Sequence, residues 1–178
     1  MSAPKRYGIF LLIILIPLFS CKYKKGEYVD NEGVDIEEPL IRANKYLVKK
    51  DKETIESYYK RRNWDMKITR TGLYYMIYET GNGIKAKAGK VSTIRYTVSL
   101  LDGTLCYSSD SLGLKKFKIG AAGIEPGLNE GILLLGEGDK ARFIMAPYLA
   151  FGLLGDLERI PPRSIILYDI ELIEISDN

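Results

Sequence analysis

The chain contains no histidine among its 178 residues, and that omission removes most of the usual means of enzyme catalysis. Ser-His-Asp and Cys-His nucleophile activation, imidazole metal ligation and imidazole acid-base work all require the ring. Cysteine chemistry is nearly as restricted. Cys21 and Cys106 are the only two thiols; they lack metal-ligand spacing and cannot build a disulfide framework. A bridge between them stays open, although each has a simpler explanation: Cys21 as a modification site, Cys106 as a small buried hydrophobe. Nothing in the sequence implies a metal, nucleotide or organic cofactor. The charge balance of 26 Lys and Arg against 23 Asp and Glu, with the two signs interleaved, argues against a nucleic-acid partner, which calls for a clustered basic face.

Cys21 closes a distinctive opening. Lys5 and Arg6 precede an apolar run of 13 residues, Tyr7 to Phe19. About 20 such residues are needed to span a bilayer, so the run reads as the core of a signal peptide. Its end, Leu18-Phe19-Ser20-Cys21, resembles the lipobox of bacterial lipoproteins, in which the thiol receives diacylglycerol and becomes the new N-terminus; Phe19 is bulkier than usual there. A plain signal peptide cut elsewhere, or an uncleaved anchor, is the competing reading. The expected organisation is a lipoprotein signal peptide over 1–20 and a lipid-anchored linker over 21–34, with Lys22, Lys24 and Lys25 suited to anionic headgroups. The mature chain would face the periplasm in the cell envelope, held by acyl chains worth about 0.8 kcal/mol per buried CH₂.

Composition, 46% hydrophobic and 28% charged, fits one globular domain plus an extension. Between 35 and 66, Leu40, Ala43, Leu47, Ile55, Tyr58 and Tyr59 recur at helical spacing. Asp51 and Thr54 offer a restart after a brief break. Docking on the domain, spacing, and oligomer formation through residues 36–64 are all open roles for this extension.

From 67 to 178 the period becomes two. Strands are expected from Gly72 to Tyr78, Val91 to Leu100, Leu105 to Ser108, Lys116 to Ile119, Ala141 to Met145 and Ile165 to Ile175, with Asp102-Gly103 as a hairpin turn. Pro126 to Leu135 is the expected helix, with Leu128, Ile132 and Leu135 on one face. Five or six strands and one helix describe an α+β roll. The loop from Pro147 to Arg163 is long enough to be functional.

The ordered strings Tyr96-Thr97, Asp102-Gly103 before Ser108-Ser109, Pro126-Gly127-Leu128 with Glu130-Gly131, Gly138-Asp139-Lys140-Ala141-Arg142, Ala150-Phe151-Gly152, Ile160-Pro161-Pro162 and Leu167 to Leu172 resemble the FKBP-type peptidyl-prolyl isomerase domain over about residues 72 to 175. With the lipoprotein-like start, the chain looks closest to gliding-motility-associated lipoprotein isomerases. The resemblance implies an antiparallel half-barrel sheet wrapped around one helix, and an aromatic pocket for proline between them. By position that pocket comprises Tyr96, Cys106, Tyr107, Ile124, Glu125, Leu128, Phe151, Ile160 and Tyr168. Tyr96, Ile124, Phe151, Ile160 and Tyr168 would be its walls and Leu128 its floor. The Glu125 amide would hold the client's carbonyl, and Tyr107 would supply a hydroxyl absent at Phe151. Cys106 and Tyr107 stand where phenylalanine and aspartate are common, Leu128 where the family has tryptophan, Phe151 where it has tyrosine, and Lys115 where another aromatic is expected.

Such a pocket suits a chain without imidazole. Amide resonance resists rotation by about 18–20 kcal/mol, and the twisted bond carries less charge separation than the planar one. An apolar enclosure therefore disfavours the planar state relative to the twisted state, with no nucleophile, metal or titrating base. The expected partners are proline-containing polypeptide clients and, through the lipid, the membrane. The competing function is a catalytically weak binding module or chaperone serving an envelope or gliding machine, which the departures in the pocket favour.

Overall fold

The structure is a computed structural model that describes residues 37–177. The segments expected as signal peptide and linker, with Cys21, lie outside the described residues. Helix α1 spans Glu37–Lys60, followed by β1 (Lys67–Ile68), β2 (Tyr74–Glu79), β3 (Val91–Leu100), β4 (Leu105–Ser108), helix α2 (Ser109–Leu112), β5 (Lys115–Lys118), helix α3 (Pro126–Ile132), β6 (Lys140–Met145), a 3₁₀ turn at Pro147–Leu149 and β7 (Ile166–Ser176). The alternating sequence places strands β3 and β7 as expected. The count differs from five or six strands and one helix because the two-residue β1 and four-residue α2 are too short to show a period.

Helix α1 runs unbroken through the expected restart. Both capping side chains are used otherwise: the Thr54 hydroxyl donates to the Lys50 carbonyl at 2.8 Å, and the Asp51 carboxylate pairs with Arg163 at 2.7 Å. The C-terminal half of the helix docks through Ile55 and Tyr58 on Tyr74, Ile144 and Ala146, forming a small second core. Burying a side chain the size of Ile55 contributes about 1.5–3 kcal/mol. In the N-terminal half, by contrast, Leu40, Ile41, Tyr46 and Val48 remain exposed.

Among the described residues the strands form one antiparallel seven-stranded sheet in the order β1-β2-β6-β7-β3-β4, with β5 also on β3. The outer edge of β3 is shared: Thr97–Ser99 pair with β4 and Val91–Ile94 with β5. Between these two segments, α2 takes the chain off the edge. Gly113, at φ +81°, ends that helix in a conformation open to glycine.

The main core lies between the sheet and α3, where Leu128, Ile132 and Leu135 are sealed against Phe143, Ile170 and Leu172. Helix α3 is shorter than its apolar pattern, because Leu134 and Leu135 bond to the carbonyls of Gly131 and Ile132 in i→i+3 turns. Asp139, buried at the start of β6, accepts from the amides of Gly81 and Gly136 at 2.7 Å and from Lys85 Nζ at 3.2 Å. Its carboxylate ties the 81–86 segment and the α3–β6 turn together.

A Cβ on Gly131 would stand 2.5 Å from the Phe143 ring. Gly→Ala inside a helix ordinarily gains stability, but here the clash decides the sign. Gly131→Ala is expected to lower unfolding free energy by about 1–3 kcal/mol in denaturant titration; an unchanged or raised midpoint would show that α3 does not need this close approach.

Candidate active site

Cross-strand register builds the site. Val98 of β3 pairs with Tyr107 of β4 on one side and Tyr168 of β7 on the other. Paired residues share a face, so Tyr107, Val98 and Tyr168 form a row across the sheet, and Tyr96, two residues along, falls on the same face. The Tyr96 and Tyr168 ring centroids lie 6.1 Å apart, tilted by 40°. Leu112, which ends α2, and Leu114, just before β5, supply one rim, and the 147–163 loop brings Phe151, Asp156 and Glu158 to another. Together they enclose an open cleft of about 480 Å³.

Tyr96, Tyr107, Glu125, Phe151 and Tyr168 of the sequence-derived set line this cleft. The other members do not. Leu128, expected as the floor, is sealed in the core beneath, because it faces Ile132 and the sheet on the apolar side of α3. Ile160 and Cys106 are buried in the same core, and Ile124 packs against it from the side. Cys106 Sγ lies within 3.6 Å of the Arg159 carbonyl, and burial, then the charge of Asp156, push its thiol up, away from nucleophilic use.

The inner end of the cleft carries charge that the sequence did not reveal. The Glu125 carboxylate, almost wholly buried, accepts from the Tyr168 hydroxyl at 2.5 Å and from Lys115 Nζ at 3.1 and 3.3 Å; Lys115 also donates to the Tyr168 oxygen at 3.4 Å. Burial, followed by the charge and hydrogen bond of Glu125, raises the Tyr168 phenol well above its ordinary value, and burial with the Glu125 charge raises Tyr96. Both therefore stay neutral donors. The sequence signal for this cluster was Lys115 at an aromatic position. Only the fold brings it to Glu125, ten residues on.

Tyr107 does not have the role expected of it. Its hydroxyl donates to Asp156, with Glu158 at 3.5 Å, so its one proton is already engaged. That bond, then burial, lifts its pKa to about 12. Asp156 in turn accepts from the amides of Glu158, Arg159 and Ile160 at 2.8 to 3.0 Å. Burial pushes its carboxyl up, but the Tyr107 bond and these three amides outweigh it and leave it below 3.8. Asp156 after Gly155 carries a turn signal in the sequence, an aspartate whose side chain accepts from the backbone that follows. Among the described residues the Glu125 N–H meets no acceptor, which leaves it free for a ligand.

Asp156→Ala should release the 156–160 turn. We expect a stability loss of about 1–3 kcal/mol and faster hydrogen exchange at the amides of 158, 159 and 160. A folded pKa below the unfolded one contributes stability that is full above about 3.8 and lost as pH falls beneath it. The gap between wild type and Asp156→Ala should therefore narrow only in that acid range; a constant gap would refute this.

A family model described as FKBP-type peptidyl-prolyl cis-trans isomerase matches residues 82–173, just over half of the chain. Among curated proteins, the chain is 29% identical over 160 residues to the probable FKBP-type peptidyl-prolyl cis-trans isomerase of Haemophilus influenzae, covering 86% of this chain and 66% of that one. It is 31% identical over 126 residues to FkpA of Escherichia coli K12, covering 71% and 45% respectively. The chain thus spans about half to two thirds of the length of these relatives. Among solved structures it is similar to AtFKBP13 (TM-score 0.59, 29% identity, 62% of this chain and 98% of that one). It is also similar to FkpA from Escherichia coli (TM-score 0.61, 25% identity, 84% and 75%).

Proposed function

This chain belongs to the FKBP-type peptidyl-prolyl cis-trans isomerase family, and on that premise we propose that it is a foldase that turns X-Pro bonds of exported polypeptides. The observation that carries this reading is the open cleft of about 480 Å³ walled by Tyr96, Tyr107, Phe151 and Tyr168. A proline ring placed among these aromatics loses the water that stabilises the polar planar amide more than the twisted one. The Glu125 amide holds the preceding carbonyl. Each 1.4 kcal/mol or so of preference for the twisted form is tenfold in rate. No group in this scheme changes protonation, consistent with tyrosines held neutral.

A second reading is a binding module or chaperone with little turnover. It is favoured by one feature, the Lys115–Glu125 ion pair inside the cleft, which offers polar stabilisation to the planar amide as well. Cellular placement belongs to the same proposal. The charged start, the apolar run and Cys21 support an exported lipoprotein tethered on the periplasmic face of a membrane, of the kind associated with gliding motility. The exposed apolar residues of the first half of α1 support self-association there.

The soluble form beginning at Lys22 should accelerate isomerisation of a proline tetrapeptide, and Tyr96→Ala and Tyr168→Ala should each reduce kcat/KM by about tenfold or more. Turnover at the uncatalysed rate, with peptide still bound, would replace the isomerase reading with the binding one. Mass spectrometry of the membrane fraction should find acyl mass on a chain beginning at Cys21. An unacylated product would remove the tether.

A further inference from the structure

Glu125 occupies the position before α3 from which a carboxylate would ordinarily cap the helix, yet it makes no capping bond. Its side chain turns into the cleft, to Lys115 of β5 and Tyr168 of β7. The segment that leads to it, Gly120-Ala121-Ala122-Gly123, has no side chain long enough to anchor itself. Asn129 holds its near end, accepting from the Gly120 amide at 2.8 Å and donating to the Ala121 carbonyl at 3.2 Å. The far end is held by Ile124 against the core and by the Glu125 side chain. Lys115 is the one cation among the residues lining the cleft, and its ammonium also lies 5.9 Å from both the Phe117 and Tyr168 ring centroids.

We propose that Lys115 is a positioning residue for the isomerase reaction: with the Tyr168 hydroxyl it clamps the Glu125 side chain, and so fixes the Glu125 amide where a client carbonyl would bind. The inference rests on the isomerase reading for its link to turnover, while the clamp itself is a property of the fold. A carboxylate this buried is strongly disfavoured without a counterion. Lys115 supplies the counterion, and the two donors leave the carboxylate one orientation. The titratable residues that line the cleft with Glu125 are Lys115 on β5, Tyr168 on β7, Tyr96 on β3, Tyr107 on β4, and Asp156 and Glu158 on the 147–163 loop.

The test uses Lys115→Met, Lys115→Arg and the double variant Lys115→Met/Glu125→Gln in the form beginning at Lys22. Lys115→Met leaves the buried Glu125 side chain without its cation, and its kcat/KM for a proline tetrapeptide should fall about tenfold. Lys115→Arg, which keeps a cation, and the double variant, which removes the unpaired carboxylate, should each recover most of that loss. An unchanged kcat/KM in Lys115→Met, or a double variant as impaired as the single one, would overturn the proposal. Should wild type show no turnover, the isomerase reading fails and the clamp is read from stability. The Tm of Lys115→Met should then lie below wild type and be largely restored in Lys115→Arg and in the double variant; a Tm equal to wild type, or a deficit that neither variant restores, would overturn the clamp.

Discussion

The ladder between β3 and β7 is the constraint on which the rest of the molecule depends. It pairs Tyr96 with Ile170 and Val98 with Tyr168 over the central stretch of the sheet, and this register alone puts two tyrosines and a valine on the face that α3 covers. A slip of one residue would carry Tyr168 to the opposite face and send Asp169 inward. The core enforces the register from behind, since Ile94, Ile170 and Leu172 are all sealed on the same side. Gly127 and Gly131 then let α3 lie against Met145 and Phe143 more closely than any larger residue would allow.

An aromatic cleft set on such a core would be expected to be apolar throughout, yet this one contains a buried carboxylate and a loop aspartate. Each is fully engaged. Glu125 is satisfied by a hydroxyl and an ammonium, and Asp156 by a hydroxyl and three amides. These are the conditions under which buried charge is tolerated. They also hold the cleft's walls: Asp156 binds the 147–163 loop to Tyr107, and Glu125 binds the start of α3 to β5 and β7. The polar groups therefore give the cleft its shape, while the rings and aliphatics give it its apolar walls.

Helix α1 divides by the same logic. Its apolar stripe is interrupted by the polar residues 49–54, and the part from Ile55 onward packs on the sheet. The Asp51–Arg163 pair marks the transition and joins the helix to the far end of the loop that carries Phe151 and Asp156. Before it, Leu40, Ile41, Tyr46 and Val48 remain exposed.

How much of this was legible beforehand follows from the range of the interactions involved. The period of two in Val91–Leu100 and Ile166–Ser176, the Pro126 start of α3 and the glycine turns are local preferences, and these residues determine them wherever they are placed. The ordered strings that resemble the FKBP-type domain carried the family with them. What local pattern could not decide was depth and partnership. Leu128 becomes core instead of floor because the helix face it occupies is set by α3 packing on Phe143. Lys115 meets Glu125, Tyr107 meets Asp156, and Asp51 turns from a helix break into an anchor for Arg163. Each depends on distances that exist only once the sheet has closed around the helix, since a side chain's hydrogen-bonding partner is chosen by geometry in space and leaves no period in the chain.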